Sequence, residues 1–231
     1  MAQTDAVRKR FGETAALVAA CQDARAEETQ ARLARLLSPA GDERALDVGT
    51  GAGAFALALA PLVRDVVGVD IVSELLAEAR KRAPENATFA EADATALPFA
   101  AASFDLVCTA RTFHHVADPE RVLEEMARVV RPRGTVLVVD HIAPDDPAAA
   151  DAVNAFERAR DPSTTRLFGD AELRRLFESH GLNLCEAEIE STERDLERYL
   201  DLAGCHGAAR DQARALAPAE NRAEYGWYVL R

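Results

Sequence analysis

Hydrophobic positions change their spacing along this 231-residue chain. Over residues 4–37 they recur at helical intervals, with Leu17, Val18, Leu33, Leu36 and Leu37 on the apolar side, which predicts helix in two pieces. The turn-rich "SPAGDE" (38–43) ends that segment. From there short apolar runs alternate with helical ones. "RALDV" (44–48), "DVVGVD" (65–70), "ATFAEAD" (87–93), "FDLVCTA" (104–110) and "GTVLVVDH" (134–141) predict strands. Between them, 53–62, 73–83 and 118–132 predict helices, the first ending near Pro61. Ser73 is expected to cap the second, and Asp118 to cap the third with Pro119 in first position. Beyond residue 141 the alternation loosens. Residues 147–160 and 169–182 predict helices, the latter with Asp170 as cap and Gly181 as stop; 182–190 predicts a strand, 193–216 mostly helix, and 225–231 a closing strand.

Strands separated by helices pair in parallel through right-handed crossovers. The expected fold is therefore α/β: a doubly wound, Rossmann-like, mostly parallel seven-stranded sheet whose last strand is antiparallel. Residues 1–42 are expected to form an N-terminal helical lid or substrate cap, and 43–231 the ligand-binding domain. Such sheets bind ligands where strand order reverses, at the carboxyl ends of the strands. That singles out the stretches from Asp47 to Gly53, Asp70, Asp93, Thr109 to His115, and Asp140 to His141.

Composition narrows the options. With 48% hydrophobic residues the chain can build a full core. Its net charge of −12 and lack of a basic block exclude nucleic acid and anionic membranes as expected primary partners. The longest uncharged stretch, Val48–Val63, has three glycines and a proline in 16 residues and is too short to span a bilayer. The N-terminus lacks the apolar run of a secretory signal, so the expected location is cytoplasmic. The four cysteines, Cys21, Cys108, Cys185 and Cys205, have no metal-ligand spacing and read as reduced thiols; no metal is expected. A fold-assembled thiol cluster for a soft element is the sharper alternative.

"ALDVGTGAGAF" (45–55) reads both as GxGxG after an acidic residue and as the dinucleotide fingerprint GxGxxA. Asp70, 21 residues after Gly49, suits the ribose hydroxyls of an adenosine in either case. Asp47 would repel a pyrophosphate but suits the positive groups of S-adenosylmethionine. Asp93 can accept from an adenine amino group, with the Ala94 N–H serving a ring nitrogen. The only lysines, Lys9 and Lys81, leave no Tyr-x-x-x-Lys pair, which removes the short-chain dehydrogenases. The balance favours S-adenosylmethionine.

Together "ALDVGTGAGAF", "VVGVDIVSELLAEAR" and "EADATALPFAAASFDLVCTARTFHHVADPERVLEEMARVVRPRGTVLVVD" resemble the class I S-adenosylmethionine-dependent methyltransferases, in particular the small-molecule branch with the ubiquinone/menaquinone C-methyltransferases. The resemblance is strong over 45–141. It implies that Gly49, Gly51 and Gly53 seat the methionine moiety, and that Asp70 holds the ribose. It also implies that Ile71 lies against the adenine, Asp93 and Ala94 at its edge, and Asp47 toward the methionine amino end. Asp47 could also tie down the turn, and Ile71 could equally be core. Thr109 completes the expected cofactor set.

Methyl transfer needs the acceptor held in line with the sulfonium methyl, and a base only where the acceptor must lose a proton. Candidate bases are His114, His115 and His141; the alternative is that they shape the loop or cap the next helix. Arg111 could bind an acidic substrate group or pair with a surface carboxylate. Phe11, Phe113, Phe156 and Phe168 could line an acceptor pocket, though phenylalanine is more often core, with 160–166 and the N-terminal helices as the pocket wall. His180 reads as a partner for a helix C-terminus. The expected partner is a small-molecule methyl acceptor, with a homodimer as an open option. A non-catalytic binder of S-adenosylmethionine and a nicotinamide-dependent oxidoreductase are the rival readings.

Overall fold

The computed structural model describes residues 2–231. Two helices lead, α1 (Ala2–Asp23) and α2 (Ala26–Leu37). The alternating region follows as β1 (Arg44–Val48), α3 (Ala54–Leu59), β2 (Asp65–Asp70), α4 (Ser73–Arg80), β3 (Ala87–Glu91), β4 (Phe104–Ala110), α5 (Pro119–Val129) and β5 (Val130–Ala143). The remainder is α6 (Pro147–Arg160), a two-residue β6 (Phe168–Gly169), α7 (Asp170–Ser179), β7 (Leu184–Glu193), α8 (Leu196–Leu202), α9 (Gly207–Leu216) and β8 (Arg222–Leu230).

The sheet order is β3-β2-β1-β4-β5-β8-β7, with β6 pairing beside the end of β5. Strands β1 to β5 are parallel, and β8 runs antiparallel between β5 and β7, as expected. Alternate strand residues feed two cores, one on each face. Ala45, Cys108, Leu137, Val139, Trp227 and Val229 join Leu33, Phe55, Leu59 and Leu76 on one side. Leu46, Val48, Val107, Val136, Val138 and Tyr228 join Leu123, Met126 and Phe177 on the other. Order reverses between β1 and β4, so the crevice opens at their carboxyl ends.

Several boundaries move for local reasons. Helix α5 stops at Val129 and β5 begins at once, because Pro132 biases Arg131 to extended backbone and cannot donate within a helix. Asp140 and His141 then lie inside β5 rather than after it. Asp118 caps α5 by accepting from the Arg121 N–H at 3.0 Å. Ser73 and Asp170 are not caps: each is the first residue of its helix. The Asp170 carboxylate instead binds the Tyr228 hydroxyl and Arg174, both at 2.8 Å. Residues 193–216 split into two helices around Gly204 and Gly207, both with positive φ. His180 meets expectation, its Nδ1 lying 2.9 Å from the Leu176 carbonyl in the last turn of α7.

Helix α1 packs Ala15 and Ala19 onto Ala52, Val72 and Leu75, which sets it across the open end of the crevice. Helix α2 goes elsewhere. It buries Leu33 and Leu36 and pairs Arg25, Arg32 and Arg35 with Glu186, Glu188 and Glu190 of β7.

Candidate active site

A cavity of about 650 Å³ occupies the crevice, a size suited to a cofactor with a small molecule beside it. Its floor is the loop after β1. Gly49 has φ +69°, and a Cβ there would stand 2.4 Å from the Thr112 hydroxyl. Gly53, at φ +91°, would press a Cβ to 3.0 Å from Ala79 and 3.2 Å from Phe89. Gly49 and Gly51 reach the cavity wall; Gly53 lies behind it, giving its N–H to the Thr50 carbonyl at 2.9 Å and opening α3.

Asp47 sits on the wall but is almost fully committed to the loop. Its Oδ2 accepts from the Thr50 hydroxyl at 2.6 Å and the Ala56 N–H at 3.0 Å, and Oδ1 faces the Cys108 thiol at 3.6 Å. Burial pushes its pKa up to about 6, against the pull of those donors. Asp70 holds the Gly51 N–H on Oδ2 at 2.7 Å and the Val72 N–H on Oδ1 at 2.9 Å. Each oxygen keeps acceptor capacity for one more donor, which matches the two hydroxyls of a ribose. Burial raises this carboxylate too.

Ile71 lines the cavity and also packs against the α1 cluster, so both readings of it hold. Asp93 and Ala94 line the same cavity, the carboxylate braced by the N–H and hydroxyl of Thr95 at 2.8 and 2.7 Å. Thr109 does not reach the wall. It is buried, and its hydroxyl donates to the Val48 carbonyl at 2.8 Å, tying β4 to β1; Ala110 lines the cavity in its place.

At the other end the three histidines converge. The rings of His114 and His115 lie 4.1 Å apart, and those of His114 and His141 6.4 Å apart. Asp140 organises them. Its Oδ1 takes His114 Nδ1 and the His141 N–H, and its Oδ2 the His114 N–H at 3.3 Å. A donor at Nδ1 leaves the lone pair of His114 at Nε2. Burial alone would raise Asp140, but the imidazole of His114 and these hydrogen bonds hold it below its ordinary value. His115 sets Nδ1 against Ser163, and burial lowers its pKa. Burial brings His141 down to about 3, with Glu157 3.8 Å from its Nδ1.

A buried charge network backs this end. Arg10 of α1 binds Asp161 at 2.7 Å, and Asp161 holds the Ser163 hydroxyl at 2.6 Å. Glu157 receives Arg160 at 2.9 Å, Arg194 at 3.2 Å and the Tyr199 hydroxyl at 2.9 Å. Burial disfavours the Glu157 charge, yet Arg160 and its neighbours bring its pKa to about 2. The sequence singles out Asp140 only as part of a strand end and Asp161 only as part of the 160–166 wall, while Glu157 and Arg10 carry no individual expectation from it. The one visible signal was an acid inside the apolar run "VLVVDH".

Of the four phenylalanines that could line the pocket, Phe11 does; Phe113, Phe156 and Phe168 take the core alternative. Arg160 and Asp161 of the expected wall do line it, and α1 contributes throughout, whereas α2 contributes nothing. Arg111 lines the mouth, and among the described residues its guanidinium has no ion-pair partner. The cysteines are free and dispersed over α1, β4, β7 and the α8–α9 turn. Among the described residues, no group of three or more His, Cys, Asp or Glu side chains is placed to hold a metal, and no helix is long and apolar enough to cross a membrane.

Residues 46–138 match the family model described as "Methyltransferase domain". The matched segment runs from β1 into β5, the parallel part of a Rossmann-like sheet. It is 37% identical over 145 residues to the uncharacterized methyltransferase YcgJ of Bacillus subtilis (strain 168), covering 61% of this chain and 57% of that protein. It is 32% identical over 135 residues to the demethylmenaquinone methyltransferase of Clavibacter sepedonicus, covering 58% and 55%. The match thus spans little more than half the length of these relatives. The crystal structure of YcgJ superposes with a TM-score of 0.79 at 24% identity, over 88% of this chain and 97% of that one. The [4+2]-cyclase SpnF superposes at 0.71 and 19% identity, over 90% and 82%. Both superpositions are likenesses of fold.

Proposed function

We propose that the chain transfers the methyl group of S-adenosylmethionine to a small-molecule acceptor that gives up a proton. The observation that carries this is a single cavity joining the glycine loop and Asp70 at one end to the His114–Asp140 pair at the other. The residues present fit the cofactor. The left-handed glycines keep the floor free of side chains, Asp70 offers paired acceptors for the ribose, and Asp93 with Ala94 offers an edge for the adenine. Bound there, the cofactor supplies a methyl group activated by its sulfonium.

The protein's own part is positioning and proton removal. His114 Nε2 takes the acceptor's proton as the bond to carbon forms, and Asp140 stabilises the imidazolium and fixes its tautomer. Phe11, set edge-on to His115 with ring centroids 5.0 Å apart, helps to exclude water. Within residues 1–42, α1 serves as the lid, held at the histidine end by Arg10, and α2 braces the sheet edge at β7. The demethylmenaquinone methyltransferase among the relatives makes quinol-type compounds the first acceptors to try.

Calorimetric titration with S-adenosylhomocysteine and with NAD, followed by incubation with methyl-labelled cofactor and an acceptor panel, tests the reading. The expected result is binding of S-adenosylhomocysteine and transfer of label. Binding of NAD alone would overturn the cofactor, and tight binding without transfer would leave a non-catalytic binder. SpnF shows why the second arm is needed: this fold also occurs in a protein named as a cyclase.

A further inference from the structure

Resting on that cofactor reading, we propose that Gln22, in the last turn of α1, accepts a hydrogen bond from the methionine ammonium and so makes the lid helix part of the cofactor site. An ammonium brings three N–H donors, and each needs an acceptor once water is excluded. Acceptors beside the glycine loop are scarce. Asp47 has three of its roughly four acceptor positions filled by Thr50, Ala56 and Cys108. The Thr50 carbonyl takes the Gly53 N–H, and the Val48 carbonyl takes the Thr109 hydroxyl. On the loop itself the carbonyls of Gly49, approached by Thr112 at 3.5 Å, and of Gly51 keep capacity, and an ammonium brings a third donor.

Gln22 faces this floor from the opposite side. It lines the cavity, and its amide nitrogen lies 3.8 Å from where a Cβ on Gly51 would stand, the nearest group there. Its Oε1 is buried and has no hydrogen-bond partner in the protein. A buried amide oxygen without a donor is costly, and a ligand N–H over Gly51 supplies one, with rotation about χ3 setting which amide atom faces the cavity. A neutral acceptor also suits a site where burial already penalises the charges of Asp47 and Asp70.

The same helix reaches the far end of the cavity. Gln3 donates to the carbonyls of His115 and Ser163 at 2.8 and 2.6 Å, and Arg10 binds Asp161. A cofactor that engages Gln22 therefore holds down the helix that roofs the acceptor end.

The test is a binding cycle with S-adenosylhomocysteine and its deaminated analogue, the amine replaced by hydrogen, titrated against wild type, Gln22→Leu and Gln22→Glu. Wild type should prefer the amine-bearing ligand by about tenfold or more. Gln22→Leu should lose most of that preference while binding the analogue as wild type does, and Gln22→Glu, which keeps an acceptor, should retain it. An undiminished preference in Gln22→Leu overturns the proposal. So does an equal weakening of both ligands, which marks lost packing. Wild type binding neither ligand overturns the cofactor reading itself.

Discussion

The two ends of the cavity are built from different materials. The cofactor end is almost all backbone and local: Gly49, Gly51 and the N–H groups held by Asp70 come from one loop and the strand beside it. The histidine end is side chains drawn from afar: His141 from β5 beside His114, and behind the histidines Arg10 from α1, Glu157 from α6 and Tyr199 from α8. A site of the first kind is broken by adding atoms, because its shape is its function. A site of the second kind is broken by removing a charge, because each member is a buried partner's solvation.

Gly49→Ala should have the largest effect. The added methyl would stand 2.4 Å from the Thr112 hydroxyl, and the +69° φ adds about 1–2 kcal/mol of strain. S-adenosylhomocysteine affinity should fall more than about 100-fold by calorimetry. Gly51→Ala is the comparison, since the nearest protein side-chain atom would be 3.8 Å away and what remains is backbone strain and the methyl's intrusion on the ligand, both shared with Gly49→Ala. Its loss should be clearly smaller, and Thr112→Ala should recover part of the Gly49→Ala loss. Equal losses at the two glycines would mean that these shared effects, and not the approach to Thr112, govern this end.

At the other end, Asp140→Asn keeps the shape but removes the charge that steadies an imidazolium on His114. Once the acceptor panel has given a substrate, the transfer rate should fall about 100-fold or more while S-adenosylhomocysteine affinity stays within about twofold. A rate that survives would remove His114 as base. A fall in affinity would show that the two ends are not separable in the way their construction suggests.

The same contrast explains what the sequence could show. The cofactor end was legible because its signals are local: a glycine pattern straight after β1, and an acid at the end of β2. The Asp140 cluster was not, because its partners lie on elements whose order in space no local period encodes. Asp140 and His141 even read as the end of a strand, since two polar residues closed an apolar run, yet β5 continues to Ala143. They can stay inside a buried strand because His114 and Glu157 face them. Thr109 failed for the converse reason: position along β4 placed it near the cofactor, but a buried hydroxyl needs a partner and found the Val48 carbonyl. Helix α2 was grouped with the lid by adjacency alone, when its arginines match the glutamates of β7.

Protonation sharpens the comparison next. His141, held at about 3 by burial, would titrate near 6.5 in the unfolded chain. Between those values the unfolded state binds the extra proton, so this residue costs stability increasingly as pH falls below about 6.5. Asp47, at about 6 in the fold, works in the opposite sense between its ordinary value and 6: the folded state keeps the proton, and stability falls as pH rises. The clean measurement is therefore a difference. Thermal melts of wild type and His141→Asn at pH 7 and pH 5 should show acid costing the wild type more, by about 2 kcal/mol over the interval below 6.5. Parallel curves would mean that His141 charges freely in the fold and that this end is wetter than its geometry implies.

The smallest effect is expected where the charges are exposed. Arg35 of α2 pairs with Glu188 at 2.7 Å and Glu186 at 3.8 Å, but its side chain is 54% accessible. Water already solvates both partners well, and salt screens what attraction remains. Arg35→Ala should shift the melting temperature by no more than about 1–2 °C, and that shift should shrink in high salt. Because α2 does not touch the cavity, S-adenosylhomocysteine affinity should not change. The buried pair of Arg10 with Asp161 has similar geometry, 2.7 Å, but there a lost partner strands a charge away from water. If Arg35→Ala proved as damaging as the Asp140 or His141 variants, burial would not be what distinguishes the histidine end, and α2 would have to be counted as part of the site rather than a brace behind it.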